Sequence, residues 1–166
     1  MDDDLAIELL NSSDLDAGVL AGWGLDPGRP LRPREVTALR ELRTLLRRLA
    51  EALAERGRLA PDELAALNEV IGRTPVRAQL WEAPSGAYLV DMQPVGAPSW
   101  EEHAVRELAG SFAALLRRAH PSRLRLCESC GRAFWDASKN RSRRWCDTRT
   151  CGNRVRVARH RARAQR

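Results

Sequence analysis

Cysteine is missing from the first 126 residues of this 166-residue chain, and all four cysteines lie between positions 127 and 151. The amino-terminal part therefore has to fold through apolar packing alone. Lysine is nearly absent. Of 28 basic residues only Lys139 is a lysine, a bias to which genomic base composition contributes, so the choice of arginine carries no functional weight. No uncharged apolar run approaches the ~18 residues of a bilayer span, so an integral membrane protein is not expected. The first residues, Met1-Asp2-Asp3-Asp4, lack the basic and apolar stretches of a secretory signal, and a cytoplasmic location follows as the expectation. Residues 1–120 show no glycine-rich phosphate loop, no nucleophile elbow and no carboxylate pair suited to acid/base work. No enzymatic activity is expected.

Charge is divided along the chain. Residues 121–166 hold 14 basic and 3 acidic side chains, a net +11, while residues 1–120 hold 14 basic and 19 acidic ones, a net −5. A near-neutral body with a strongly basic end points to a polyanionic partner, nucleic acid first among them. Six acidic and no basic residues occupy positions 1–16, where the helix dipole favours them.

The pattern reads as α+β, in two domains: a helix-rich body over 1–120 and a small cysteine module over 121–166, joined at Pro121-Ser122. An apolar segment, Leu5 to Leu10, follows a cap at Asp4. The clearest helix starts at Pro33, which suits a first turn. Val36, Leu39, Leu42, Leu46, Leu49 and Leu53 then recur at spacings of three and four until Gly57. Such a stripe packs into a core, or, on the same spacing, forms the seam of a homodimer. A second helix over Pro61–Ile71 is expected to bury Leu64, Leu67 and Ile71. Val76–Glu82 and Ala87–Met92 alternate around Ala83-Pro84-Ser85-Gly86 and read as a β-hairpin. Ser99-x-x-Glu102 is a capping box opening a last body helix, with Val105, Leu108, Phe112, Leu115 and Leu116 on its buried face. His103 and His120 read as surface histidines.

The chemistry is concentrated in the pattern C-x2-C-x15-C-x4-C formed by Cys127, Cys130, Cys146 and Cys151. Four thiolates supply the tetrahedral soft-ligand set that Zn²⁺ prefers. Two disulfides fit poorly with a cytosolic chain whose cysteines all sit in one basic module. A redox C-x-x-C leaves the second pair unexplained, and an iron–sulfur cluster lacks apolar shielding. Four protein thiolates leave no open coordination position, so one structural zinc per chain is expected. A 46-residue module also needs such a staple, because cores below ~70 residues seldom suffice. Trp135 and Trp145 are expected to pack over the zinc, Asn140 to serve a turn, and Asn153 to cap a helix or bond a cysteine sulfur.

The segment Cys127-Glu128-Ser129-Cys130-Gly131-Arg132-Ala133-Phe134, then Asp136-Ala137-Ser138-Lys139-Asn140-Arg141-Ser142-Arg143-Arg144-Trp145-Cys146, then Cys151-Gly152-Asn153-Arg154, resembles the CGNR zinc finger. Thr148 and Arg156 depart from that pattern, where methionine and lysine are common. In that family the finger follows an ABATE domain, held to be a stress-induced transcription regulator. Leu9-Leu10-Asn11-Ser12 and the helix–helix–hairpin–helix order resemble that domain. The resemblance implies a treble-clef-like finger (knuckle, short hairpin, C-terminal helix), zinc binding and DNA binding in a bacterial regulator, with the body sensing a signal or forming a homodimer. RNA binding or protein interaction by the finger is the alternative. A zinc-knuckle nuclease is excluded by the lack of histidine in 131–145.

On a helix starting near Cys151, Arg156, Arg159, Arg163 and Arg166 share a sector of roughly 80°. Arg154 and Arg161 lie across a strip of Val155, Ala158 and Ala162, which is expected to pack on the zinc hairpin. Arg156, Arg159 and Arg163, with Arg143 and Arg144 from the hairpin, are expected to contact the DNA backbone, and Arg154 and Arg161 are the candidates if bases are read.

Overall fold

The computed structural model describes residues 5–118 and 120–164, so the expected cap at Asp4 and the end of the basic row at Arg166 lie outside the described residues. In chain order the elements are α1 (Leu5–Asn11), α2 (Ala17–Gly22), α3 (Pro33–Arg56), α4 (Pro61–Gly72), β1 (Val76–Glu82), β2 (Tyr88–Pro94), α5 (Trp100–Arg118), a 3-10 turn (Pro121–Arg123), β3 (Leu124–Leu126), β4 (Ala133–Trp135), a π turn (Thr148–Gly152) and α6 (Asn153–Ala164). The chain is thus a helix-rich body bearing one β-hairpin, then a cysteine-containing region that ends in a helix.

Helix α3 organises the body. Pro33 sits in its first turn, where the missing N–H goes unused, and Gly57 ends it. Leu39, Leu42, Leu46, Leu49 and Leu53 are each at most 3% exposed, and each contributes about 1.5–3 kcal/mol by leaving water. They face Leu108, Phe112 and Leu115 of α5, Ala6 and Leu9 of α1, and Leu67 of α4, all in one core. The α3 stripe is therefore consumed inside the body and forms no dimer seam. Helix α4 is turned by one position from the expected face, with Val70 buried and Leu64 at 48% exposure.

Local caps explain where the helices begin. Ser99 Oγ accepts from the Glu102 N–H at 3.2 Å and Glu102 Oε2 accepts from the Ser99 N–H at 2.7 Å, completing the expected box on α5. At the start of α3, Glu35 is 2% exposed and takes two hydrogen bonds from Arg29, at 2.7 and 2.9 Å. With a third from the Arg32 N–H at 2.7 Å, these hold its carboxyl down to about 2. Asp16 accepts from the Val19 N–H and starts α2.

Strands β1 and β2 pair antiparallel from Val76↔Pro94 to Glu82↔Tyr88, and β3 and β4 from Leu124↔Trp135 to Leu126↔Ala133. The two hairpins differ in their surroundings. The first is exposed along both strands. The second is inserted in the body: Leu124 (0% exposed) and Ala133 (2%) belong to the same core as α3 and α5, and Leu126 and Trp135 pack against it.

Candidate metal centre and nucleic-acid interface

The first cysteine pair sits on the turn between β3 and β4. The Gly131 N–H donates to Cys127 O at 2.8 Å and the Cys127 N–H to Arg132 O at 2.8 Å, closing a tight knuckle. Gly131 has φ +71°, a left-handed conformation that side chains disfavour. The second pair is carried by the segment leading into α6. Asp147 accepts from the Arg149 and Thr150 N–H groups at 2.6 and 2.8 Å and so starts the π turn that contains Cys151. Asn153, expected as the cap, is exposed at the first residue of α6. Gly152 lies under Trp145: a Cβ there would approach the ring at 3.1 Å.

These two segments bring all four sulfurs within 4.8 Å of one another. Cys130 and Cys146 are 3.7 Å apart, as are Cys146 and Cys151. A tetrahedron with Zn–S arms of about 2.3 Å has edges of about 3.8 Å, whereas a disulfide needs about 2.05 Å. The four thiols are unbridged, and their spacing fits one structural Zn²⁺ with no position left for a substrate. Burial raises the Cys127 thiol, but hydrogen bonds from the Cys146, Ser129 and Cys130 backbones outweigh it and bring it down to about 6. Burial and the neighbouring sulfurs push Cys146 up to about 12. Phe134 and Trp145 pack on the sulfurs. Trp135, expected to share that position, instead packs against the body core, because alternation on β4 sends it away from Phe134.

Three residues tie the centre to the body or to itself, and residue patterns alone assigned them no such role. Asn11 at the end of α1 donates its Nδ2 to Ala133 O and accepts from the Ala133 N–H at Oδ1, both at 2.8 Å. Arg47 of α3 donates to Gly131 O at 2.6 Å. Asp136 is fully buried beyond β4 and accepts from the Ser138 and Arg143 N–H groups, both at 2.9 Å. An Asp four residues before Cys151 is a legible cap signal; a contact between residues 11 and 133 has no local signal at all. Replacing Asn11 with Ala strands both Ala133 groups, at about 1–3 kcal/mol for an unsatisfied buried group. Urea unfolding of the zinc-loaded Asn11→Ala variant should show a loss of that size, and an unchanged midpoint would refute the clamp.

The basic residues divide into two groups. Arg143 donates to Cys146 O at 2.7 Å and lies over the Phe134 ring at 5.5 Å. Arg144 pairs both its Nε and Nη2 with the Glu128 carboxylate and lies over Trp145. Both are thus occupied within the module. On α6, Arg154, Arg156, Arg159, Arg161 and Arg163 are all exposed, and none forms a side-chain hydrogen bond or ion pair with a described residue. The Val155 strip does not pack as expected: Val155 is half-buried, but Ala158 and Ala162 are exposed. Helix α6 projects from the zinc-bearing turn with all its arginines in water.

Two family models cover the chain. Residues 123–164 match the CGNR zinc finger, and residues 3–119 match ABATE, described as "Putative stress-induced transcription regulator". No curated protein matches the chain. A model spanning most of the chain, followed in order by the finger whose four sulfurs stand at zinc distances, places this chain in the ABATE family, with a C-terminal CGNR zinc finger.

Proposed function

We propose that this protein is a cytoplasmic transcription regulator that binds double-stranded DNA through α6 and acts by binding, without catalysis. The observation that carries this reading is the state of the helix. Five arginines and no acidic residue lie between 153 and 164, all exposed and without a salt bridge to a described residue, Arg159 alone acting at longer range on the Glu128 carboxylate, on a helix that follows directly on the turn carrying the metal ligand Cys151. A solvated cationic helix held at a fixed angle neutralises phosphates and releases their counterions. Zinc orients the helix and has no chemical step to perform. The body supplies the regulatory part. A cavity of about 170 Å³ between α3, α4 and α5, lined by Leu42, Leu45, Val70, Val105 and Glu101, is the place for a sensed small molecule.

The test is a salt series of DNA binding followed by fluorescence anisotropy. Each phosphate contact contributes about −0.9 to the log–log slope. Replacing Arg156, Arg159 and Arg163 together with Ala should flatten the slope by roughly 2–3 units and weaken all sequences alike. Replacing Arg154 and Arg161 should instead relax sequence preference if that row reads bases. An unchanged affinity and slope in the triple variant, with zinc still bound, removes α6 as the interface. Structured RNA outcompeting duplex DNA removes the DNA reading.

A further inference from the structure

Of the ten large apolar residues that stand exposed among the described residues, eight lie between Val76 and Val95. The pairing register explains why they gather there. Opposite partners share a face, so Val76, Leu80, Tyr88, Val90 and Met92 project to one side together with Ala78, while Arg77, Gln79, Asp91 and Gln93 project to the other with Trp81 and Leu89 at its turn end. This ribbon is amphipathic, as a strand pair with one buried face should be, yet its apolar face meets water. Leu80, Tyr88 and Val90 are 62–68% exposed. An isolated two-stranded ribbon is marginally stable at best, and each Å² of apolar surface left wet forgoes about 25 cal/mol. Neither the metal centre nor α6 uses this surface.

We propose that the apolar face of the β1–β2 ribbon is a homodimer interface, two copies stacking face to face about a two-fold axis. Three observations select a second copy over other occupants. The first is area. Five side chains of about 150–250 Å², exposed by 39–68%, give on the order of 600 Å² over the apolar face. That stands at the top of the ~300–600 Å² of a typical monomer's largest patch, and it meets the ~600 Å² per partner at which specific interfaces begin. The second is charge. Glu82, at the far end beside the turn, is the only charged residue on the face, so a polyanion finds no cation there and a foreign protein finds no charge pattern to select it. The third is symmetry. A face whose one charge, Glu82, lies at its end presents the same apolar side chains to itself when turned through 180°, which an isologous interface requires. The stacking follows the packing of two small sheets, with side chains from both ribbons filling the space between them.

The proposal does not depend on what α6 binds, and its test is separate. Sedimentation velocity of the intact zinc-loaded chain at about 10 µM should give twice the 18.6 kDa monomer mass. Replacing Leu80 and Val90 with Asp should give a monomer with unchanged circular dichroism and zinc content, the dimer dissociation constant rising at least ~100-fold. Both residues are already exposed, so the charges enter no packed core; should the double variant still misfold, Leu80→Thr with Val90→Thr gives the same readout. Gln79→Glu on the opposite face should leave the dimer intact. A monomeric wild-type chain overturns the proposal, as does a folded face variant that remains dimeric.

Discussion

Removing zinc from the intact protein is expected to lower its melting temperature by about 10–20 °C, and to loosen the body as well as the finger. Zinc contributes roughly 10–16 kcal/mol in finger peptides, and that binding energy is folding energy. It rivals the whole stability of an ordinary domain, about 5–15 kcal/mol. A loss of only about 5 kcal/mol shifts a chain of this length by the stated amount. The effect should spread because the knuckle is held from two sides. Metal grips Cys127 and Cys130 from one side, while Arg47 of α3 grips Gly131 from the other at 2.6 Å. Leu124 and Ala133, which flank the knuckle, are core residues of the body. Chelation, or Cys146→Ser, should therefore reduce amide-exchange protection in α1 and α3. If protection falls only over 121–164 and the body melts where it did before, the two halves fold independently and the coupling is absent.

Asp136→Ala should be the most damaging single substitution outside the cysteines, at about 2–6 kcal/mol, since it leaves two buried N–H groups unsatisfied. The Asp136 carboxylate takes the Ser138 and Arg143 N–H groups. Its own backbone is clamped as well: the Asp136 N–H donates to Arg123 O at 2.7 Å, and Arg123 donates to Asp136 O at 2.7 Å. The residue thus shapes the loop from 136 to 143 that delivers Trp145 and Cys146. Burial raises its carboxyl, but hydrogen bonds from Ser138 and Arg143 outweigh it and hold it below the usual 3.8. A carboxyl lowered by folding stabilises the protein above its ordinary value and loses that stabilisation as pH falls through the folded value. Urea midpoints of wild type should therefore drop below about pH 4, and Asp136→Asn should remove part of that acid dependence. A loss under about 1 kcal/mol for Asp136→Ala at pH 7 would show that the loop is held by other contacts.

The features legible in sequence are those written in short-range spacing. The α3 stripe, the Ser99–Glu102 box, the Pro/Gly turn between β1 and β2, and the four-cysteine pattern each lie within a few tens of residues and need no tertiary partner to be seen. Helix α4 lies one position off its expected face because twelve residues give a weak period. Helix α2, at six residues, gives none. What spacing does not reveal is which core a small apolar side chain joins. Leu124, Leu126 and Trp135 read as the module's own packing, but they lie against α1 and α3, reached across 67 or more residues of intervening chain. The role of Asn11 depends on a partner 122 residues away. Arg143 and Arg144 look like free cations in sequence, and only the folded hairpin brings Glu128 and the Cys146 carbonyl to them.

The bond pair between Asn11 and Ala133 has a consequence beyond stability. A two-stranded sheet has two open edges, and an open edge invites a strand from another molecule. On β4, the outward N–H and C=O of Ala133 form such a docking point, and the Asn11 side-chain amide meets both groups, as one peptide unit of a third strand would. One residue at the end of a helix thus stands in for a missing strand. It occupies the sheet edge at Ala133, so that a strand from another molecule finds both groups of that residue already taken.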